Sequence, residues 1–161
     1  MPRLLWIDDE GERKFLFEVY KLRQDGWTVD WAVSVEEATT ALATHHYDTI
    51  LLDQMMPLGG QGAHHVDVWT GCLMLWWLRR GSAPEAAPQP SIEASSALWK
   101  ASPLEANRKT RVICVSAFDD EDVVPVMKAV ADDGSPEVLL LVKPIRFAEL
   151  FDALCDVEAT A

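Results

Sequence analysis

The residues best placed to do chemistry stand at the ends of short apolar runs. Asp8 and Asp9 follow Leu4–Ile7, Asp53 follows Thr49–Leu52, Ser116 follows Val112–Val115, and Lys143 follows Val138–Val142. If these runs are strands of one open α/β sheet, their C-terminal ends share the rim where ligands bind in such folds. Three carboxylates, a hydroxyl and an ammonium then converge. Two carboxylates about 4 Å apart repel by ~4 kcal/mol at an effective dielectric of ~20. Either one of them holds a proton or a hard cation neutralises them. Oxygen-only ligands suit Mg²⁺, which takes one or two carboxylates together with phosphate oxygens. Beside such an ion Asp53 is equipped to attack a phosphoryl group as a carboxylate nucleophile. Ser116 would hydrogen-bond one transferred oxygen and Lys143 would neutralise another.

Bringing these residues to one rim requires particular elements. The four runs are almost continuously apolar, as strands buried on both faces are. A fifth run, Trp27–Val33, alternates Val29, Trp31 and Val33 with polar or small residues, which predicts an edge strand. Between the runs lie helical spacings. Phe15, Val19 and Leu22 form one stripe, closed by Asp25-Gly26. Ser34 with Glu37 reads as a capping box ahead of Val35, Ala38 and Leu42. Cys72, Leu75, Trp76 and Arg79 line a third helix, Asp119–Asp122 open a fourth, and Phe147, Leu150, Phe151 and Leu154 line a fifth. Strict alternation over short connections predicts an α/β fold with a doubly wound, five-stranded parallel sheet.

Two stretches depart from that economy. Residues 58–68 read as a long rim loop. Residues 81–108, with Pro84, Pro88, Pro90 and Pro103, read as a structureless insertion, except that Ile92 and Trp99 could share a helical face within Ser91–Lys100. With few large apolar anchors to offset its ordering entropy, the second insertion is expected to be mobile and partner-facing. Residues 1–161 are read as a single domain carrying both insertions.

Composition excludes several classes. The 161 residues hold 14 basic and 26 acidic side chains, a net charge of -12. Nucleic-acid backbones are gripped by clustered Lys and Arg, so a nucleic-acid partner is not expected. No apolar run approaches the ~20 residues of a membrane span, and the N-terminus lacks signal-peptide architecture. Cys72, Cys114 and Cys155 are too scattered for a disulfide framework or a zinc site. A reduced, cytoplasmic setting is expected.

In order along the chain, LLWIDDE, TILLDQMMP, VICVSAF and LLLVKPI closely resemble the receiver domain of two-component response regulators. The acidic pair, the Asp-x-x-Met-Pro motif (Asp53–Pro57), the hydroxyl at a strand end and the Lys-Pro are that family's signatures. The resemblance implies a flavodoxin-like, CheY-like (βα)5 fold with strand order 2-1-3-4-5. It implies that Asp53 is the phosphoacceptor, with Ser116 and Lys143 assisting, in a Mg²⁺-dependent reaction. Asp9 and Asp53 would hold the metal directly, Asp8 mainly through water, and the Met55 backbone carbonyl would complete the protein ligands. Lys143–Pro144 would be cis. The donor would be a sensor histidine kinase or phosphotransfer protein. The chain would be a phosphoacceptor switch rather than an enzyme, a stand-alone receiver signalling through protein contacts or a phosphorelay.

Three departures from the family pattern stand out. Leu140 replaces the aromatic switch residue that many receivers carry three positions before the Lys. Met55 and Phe118, which stand where the family tunes dephosphorylation, are bulky and apolar, so slow phosphoryl loss is expected. The two insertions flank the third helix. A pseudo-receiver, a constitutive interaction module not switched by phosphate, is the alternative reading. His45-His46 reads as a helix end meeting the dipole. His64-His65 reads as a polar loop, and Cys114 as a small core residue.

Overall fold

The structure is a computed structural model that describes residues 1–59, 62–67, 70–81, 102–117 and 138–155. A parallel sheet is built from β1 (Arg3–Ile7), β2 (Thr28–Ala32), β3 (Thr49–Asp53), β6 (Arg111–Ser116) and β7 (Leu139–Val142). Its order is β2-β1-β3-β6-β7, so the alternating strand is indeed at an edge. This is the expected CheY-like order, in which the chain winds one way from β1 and then reverses. Among the described residues the α-helices are α1 (Leu16–Gln24), α2 (Val35–Thr44), α3 (Thr70–Arg80) and α4 (Phe147–Cys155), with 3₁₀ segments η1 (Glu12–Phe15) and η2 (Glu105–Lys109). The helix expected to begin at Asp119–Asp122 lies outside the described residues. None of the described helices is long and apolar enough to cross a membrane.

Side chains alternate across the sheet. Leu5, Ile7, Ile50 and Leu52 pack with α2 and α3 on one face, while Leu4, Trp6, Leu51 and Ile113 pack with α1 and α4 on the other. The local punctuation follows the sequence. The Ser34 hydroxyl accepts from the Glu37 amide at 3.2 Å, and Glu37 reaches back to the Val33 amide at 3.0 Å. Gly26, at φ 88°, closes α1 while the Trp27 amide donates to the Leu22 carbonyl at 3.0 Å. Glycine is free to take that left-handed turn without a Cβ clash.

Three expectations need correction. Residues 58–68 are not a plain loop, because β4 (Met56–Gly59) and β5 (Gly62–Asp67) form an antiparallel hairpin. In the sequence, Gly59-Gly60-Gln61-Gly62 between two short runs is a hairpin signal that outweighs the polar composition. Next, α3 has no simple buried stripe. Thr70–Leu75 and Trp77–Arg79 are all buried, while Trp76 is partly covered with the Arg80 guanidinium 5.1 Å from its ring centre. The helix packs against β4 and η2 as well as the sheet, so it is covered on more than one side.

The end of the second insertion also belongs to the body of the domain. Asn107 is fully buried, accepting from the Tyr47 amide at 3.0 Å and donating to the carbonyls of Leu42 (2.8 Å) and His45 (2.6 Å). Its amide thereby satisfies carbonyls that the end of α2 leaves unpaired. Arg79 donates to the Arg108 and Thr110 carbonyls at 2.6 and 2.8 Å, tying the same segment to α3. Residues 82–101, including Ile92 and Trp99, lie outside the described residues. Asn107→Ala should strand buried polar groups at a cost of about 3 kcal/mol. That corresponds to a melting temperature lower by about 6–12 °C in a calorimetric scan. A change under about 2 °C would show that η2 is only loosely docked.

Candidate functional site

The site lies at the C-terminal rim of the sheet. Asp8 follows β1, Asp53 closes β3, Ser116 closes β6, and Lys143 follows β7. Neighbouring strands hold these residues in step. Asp53 pairs with Val115 and Ser116 with Val142, and the Lys143 amide donates to the Ser116 carbonyl at 2.7 Å. The Lys143–Pro144 bond is cis, as expected. Asp8 and Asp53 are buried and Asp9 is exposed, and one carboxylate oxygen from each lies within 4.8 Å of the others.

One ammonium serves several of these groups. Lys143 Nζ donates to Asp53 Oδ2 at 3.1 Å and to Glu10 Oε2 at 3.2 Å. It also lies 3.2 Å from Asp8 Oδ2, yet that buried oxygen receives no aligned hydrogen bond. The other Asp8 oxygen accepts from the Glu10 amide at 2.9 Å, and the Met55 amide donates to Asp53 Oδ1 at 3.3 Å. Glu10, which also pairs with Lys14, is a site residue that the sequence reading passed over. Its signal was simple adjacency to the acidic pair.

Electrostatics follow from burial. Desolvation, with the Asp8 charge next, pushes the Asp53 carboxyl up to about 6 against the pull of Lys143. Asp8 is raised above the ordinary carboxylate value, again chiefly by burial. Burial also disfavours the Lys143 ammonium, but the facing Asp53 and Asp8 carboxylates outweigh it and raise its pKa. Glu10 is lowered, first by its hydrogen bond from Lys14. Crowded, desolvated carboxylates with one oxygen lacking a hydrogen bond suit a small hard cation. The donor set therefore fits Mg²⁺.

Helix α3 begins against the backbone of Asp53 and Gln54. The Gly71 amide donates to the Gln54 carbonyl at 3.0 Å. A Cβ there would stand 2.6 Å from the Asp53 carbonyl oxygen and 2.7 Å from Gln54 Cα. Only glycine lets the helix approach this closely. Behind it the Cys72 thiol donates to Gln54 Oε1 at 3.1 Å. Cys114 is fully buried and its thiol is pushed well up by desolvation, as befits a core residue. Leu140 is half-buried and packs on the α2–α3 side of the core. Phe118 and the side chains of His64 and His65 lie outside the described residues. His45 is placed at the end of α2, away from the acidic cluster, with its ring 2.9 Å from the Thr44 hydroxyl.

Several solved structures with this architecture are receiver domains. The Francisella response regulator 1452 receiver domain aligns over 96% of this chain and 93% of its own, at 23% identity and a TM-score of 0.59. A two-component response regulator from Clostridium difficile aligns over 99% and 98%, at 14% identity and 0.64. The fold is that of a response-regulator receiver domain. The receiver domain of sensor histidine kinase PA1611 from Pseudomonas aeruginosa PAO1 is also similar, with 95% and 93% coverage, 17% identity and a TM-score of 0.59. That structure has a magnesium ion coordinated in its active-site cleft. No family model matches the sequence, and no curated protein does either. The receiver fold accounts for the placement of all five residues at one rim.

Proposed function

We propose that this chain is a phosphorylation switch in which Asp53 accepts a phosphoryl group in a Mg²⁺-dependent reaction. The observation that carries the reading is the buried Asp53 carboxylate, 3.1 Å from the Lys143 ammonium and grouped with the Asp8 and Asp9 carboxylates. Packing alone has no use for carboxylates crowded at such a cost. An Asp53 oxygen forms the new bond to phosphorus while the donor's bond to phosphorus breaks. Asp53 is mostly ionised at pH 7, since its carboxyl titrates near 6, so the nucleophile needs no separate base. Lys143 stays protonated and neutralises a transferred oxygen, and Ser116 hydrogen-bonds another. Asp9, Asp53 and the Met55 carbonyl would hold Mg²⁺, with Asp8 acting mainly through water. When bound, the ion would offset the charge that the carboxylates and phosphoryl oxygens bring together.

The donor is a sensor histidine kinase or a phosphotransfer protein, and the signal passes on by altered protein contacts or by relay. Intact-mass measurement after incubation with acetyl phosphate tests the reading. Wild type should gain one phosphoryl mass with Mg²⁺ and none after chelation, while Asp53→Asn and Asp9→Ala should gain none. Equal labelling of Asp53→Asn would place the acceptor elsewhere. Absence of labelling in wild type would favour the pseudo-receiver reading, which Leu140 at the aromatic switch position supports.

A further inference from the structure

We infer that Trp31 is a positioning residue for the metal-holding loop, acting through its indole N–H on the backbone of Asp8. The inference rests on the reading of Asp8 and Asp9 as part of a Mg²⁺ site. Asp8 lies one residue beyond the end of β1, and its amide still donates to the Ala32 carbonyl of β2 at 3.0 Å. Its carbonyl accepts from Trp31 Nε1 at 3.0 Å and, over a longer distance, from the Gly11 amide of the loop itself at 3.4 Å. Both backbone polar groups of Asp8 are therefore held by the edge strand.

The indole is itself held in place by stacking. Trp6 and Trp31 are cross-strand neighbours on β1 and β2, with ring centres 4.7 Å apart. Phe15, the last residue of η1 and the cap of α1, lies 4.8 Å from Trp6 and 5.9 Å from Trp31. The rings brace both sides of the Asp8–Gly11 connection, because β1 enters it and η1 leaves it. A ring packed against two others, Trp6 and Phe15, aims its N–H at reduced entropic cost. The consequence for the site is geometric. With Asp8 anchored at its backbone, Asp8 and Asp9 meet the cation in a preorganised loop.

The test compares Trp31→Phe, which keeps a stacking ring but removes the N–H, with Trp6→Phe, which trims the stack but leaves the Trp31 bond. In the metal-free protein, NMR hydrogen exchange at the Glu10 and Gly11 amides should be about fivefold faster in Trp31→Phe than in wild type, the equivalent of one lost neutral hydrogen bond. Trp6→Phe should lower the melting temperature yet leave those two amides within twofold of wild type. Titration with Mg²⁺, followed by the same NMR signals, should show affinity about fivefold weaker in Trp31→Phe alone. Unchanged exchange in Trp31→Phe, or equal acceleration in both variants, would overturn the positioning role. If wild type shows no Mg²⁺ response, the metal reading fails, and the exchange rates still decide whether Trp31 orders the loop.

Discussion

Gly71→Ala is expected to lower the melting temperature by about 2–12 °C and phosphoryl labelling of Asp53 by at least about tenfold. The added methyl would sit 2.6 Å from the Asp53 carbonyl oxygen and 2.7 Å from Gln54 Cα, both backbone atoms at the end of the strand that carries Asp53. Neither belongs to a flexible side chain that can swing aside, so α3 must shift away from β3. Overpacking of this kind costs about 1–3 kcal/mol, and each kcal/mol is about 2–4 °C in a domain of this size. The loss of labelling arises because a shift of α3 pulls on the Gly71–Gln54 hydrogen bond next to Asp53. Calorimetry and intact-mass labelling of the one variant check both halves. A normal melt with normal labelling would show that the helix tolerates displacement.

Lys143→Gln should produce the other large effect, and its size should depend on pH. In the wild type, the folded state raises the Asp53 carboxyl from 3.8 to about 6, so it binds that proton more tightly than the unfolded chain does. The stability from that protonation is present below about pH 4, declines as pH rises, and is gone above about pH 6, a change of about 2–3 kcal/mol in metal-free protein. Removing the ammonium deletes the attraction that opposes burial at Asp53 and Asp8. Their carboxyls should rise further, and the decline should deepen and extend past pH 6. Breaking a buried ion pair costs about 3–5 kcal/mol, so the variant should melt about 6–20 °C below wild type at pH 7.5. The gap should be smaller at pH 4.5, where the Asp53 carboxyl, raised to about 6, carries a proton. Mg²⁺ at 100 times its dissociation constant should return about 2.7 kcal/mol at pH 7.5 and little at pH 4.5. A gap of equal size at both pH values would show that Lys143 acts by packing rather than charge.

The site residues were legible because each lies at the end of an apolar run, and apolar runs in a parallel sheet end at one rim. Asp8, Asp9, Asp53, Ser116 and Lys143 needed no side-chain geometry to be singled out. The α1 and α2 ends were equally readable, since Gly26 and the Ser34–Glu37 pair act within a single turn. The β4–β5 hairpin was readable in principle, but the polar residues of 58–68 outweighed its glycine turn in the reading. The all-round burial of α3 was not readable from periodicity. It depends on β4 and η2 packing against flanks that a helical stripe assigns to solvent.

Local signals determined the five strands of the parallel sheet, the end of α1 and the start of α2, the edge position of β2 and the residues of the acidic rim. Tertiary structure alone decided how those residues share one charge. Glu10 joins Asp8 and Asp53 around Lys143 although 133 positions separate it from that lysine. Asn107 reaches Leu42 and His45 across 65 and 62 positions. Gly71 is needed because a helix start meets a strand end, and Trp31 meets Asp8 because two strands lie in register. Periodicity and capping are set by neighbours within one or two turns, whereas burial, shared protons and close backbone approach depend on which distant segment fills the space beside a residue.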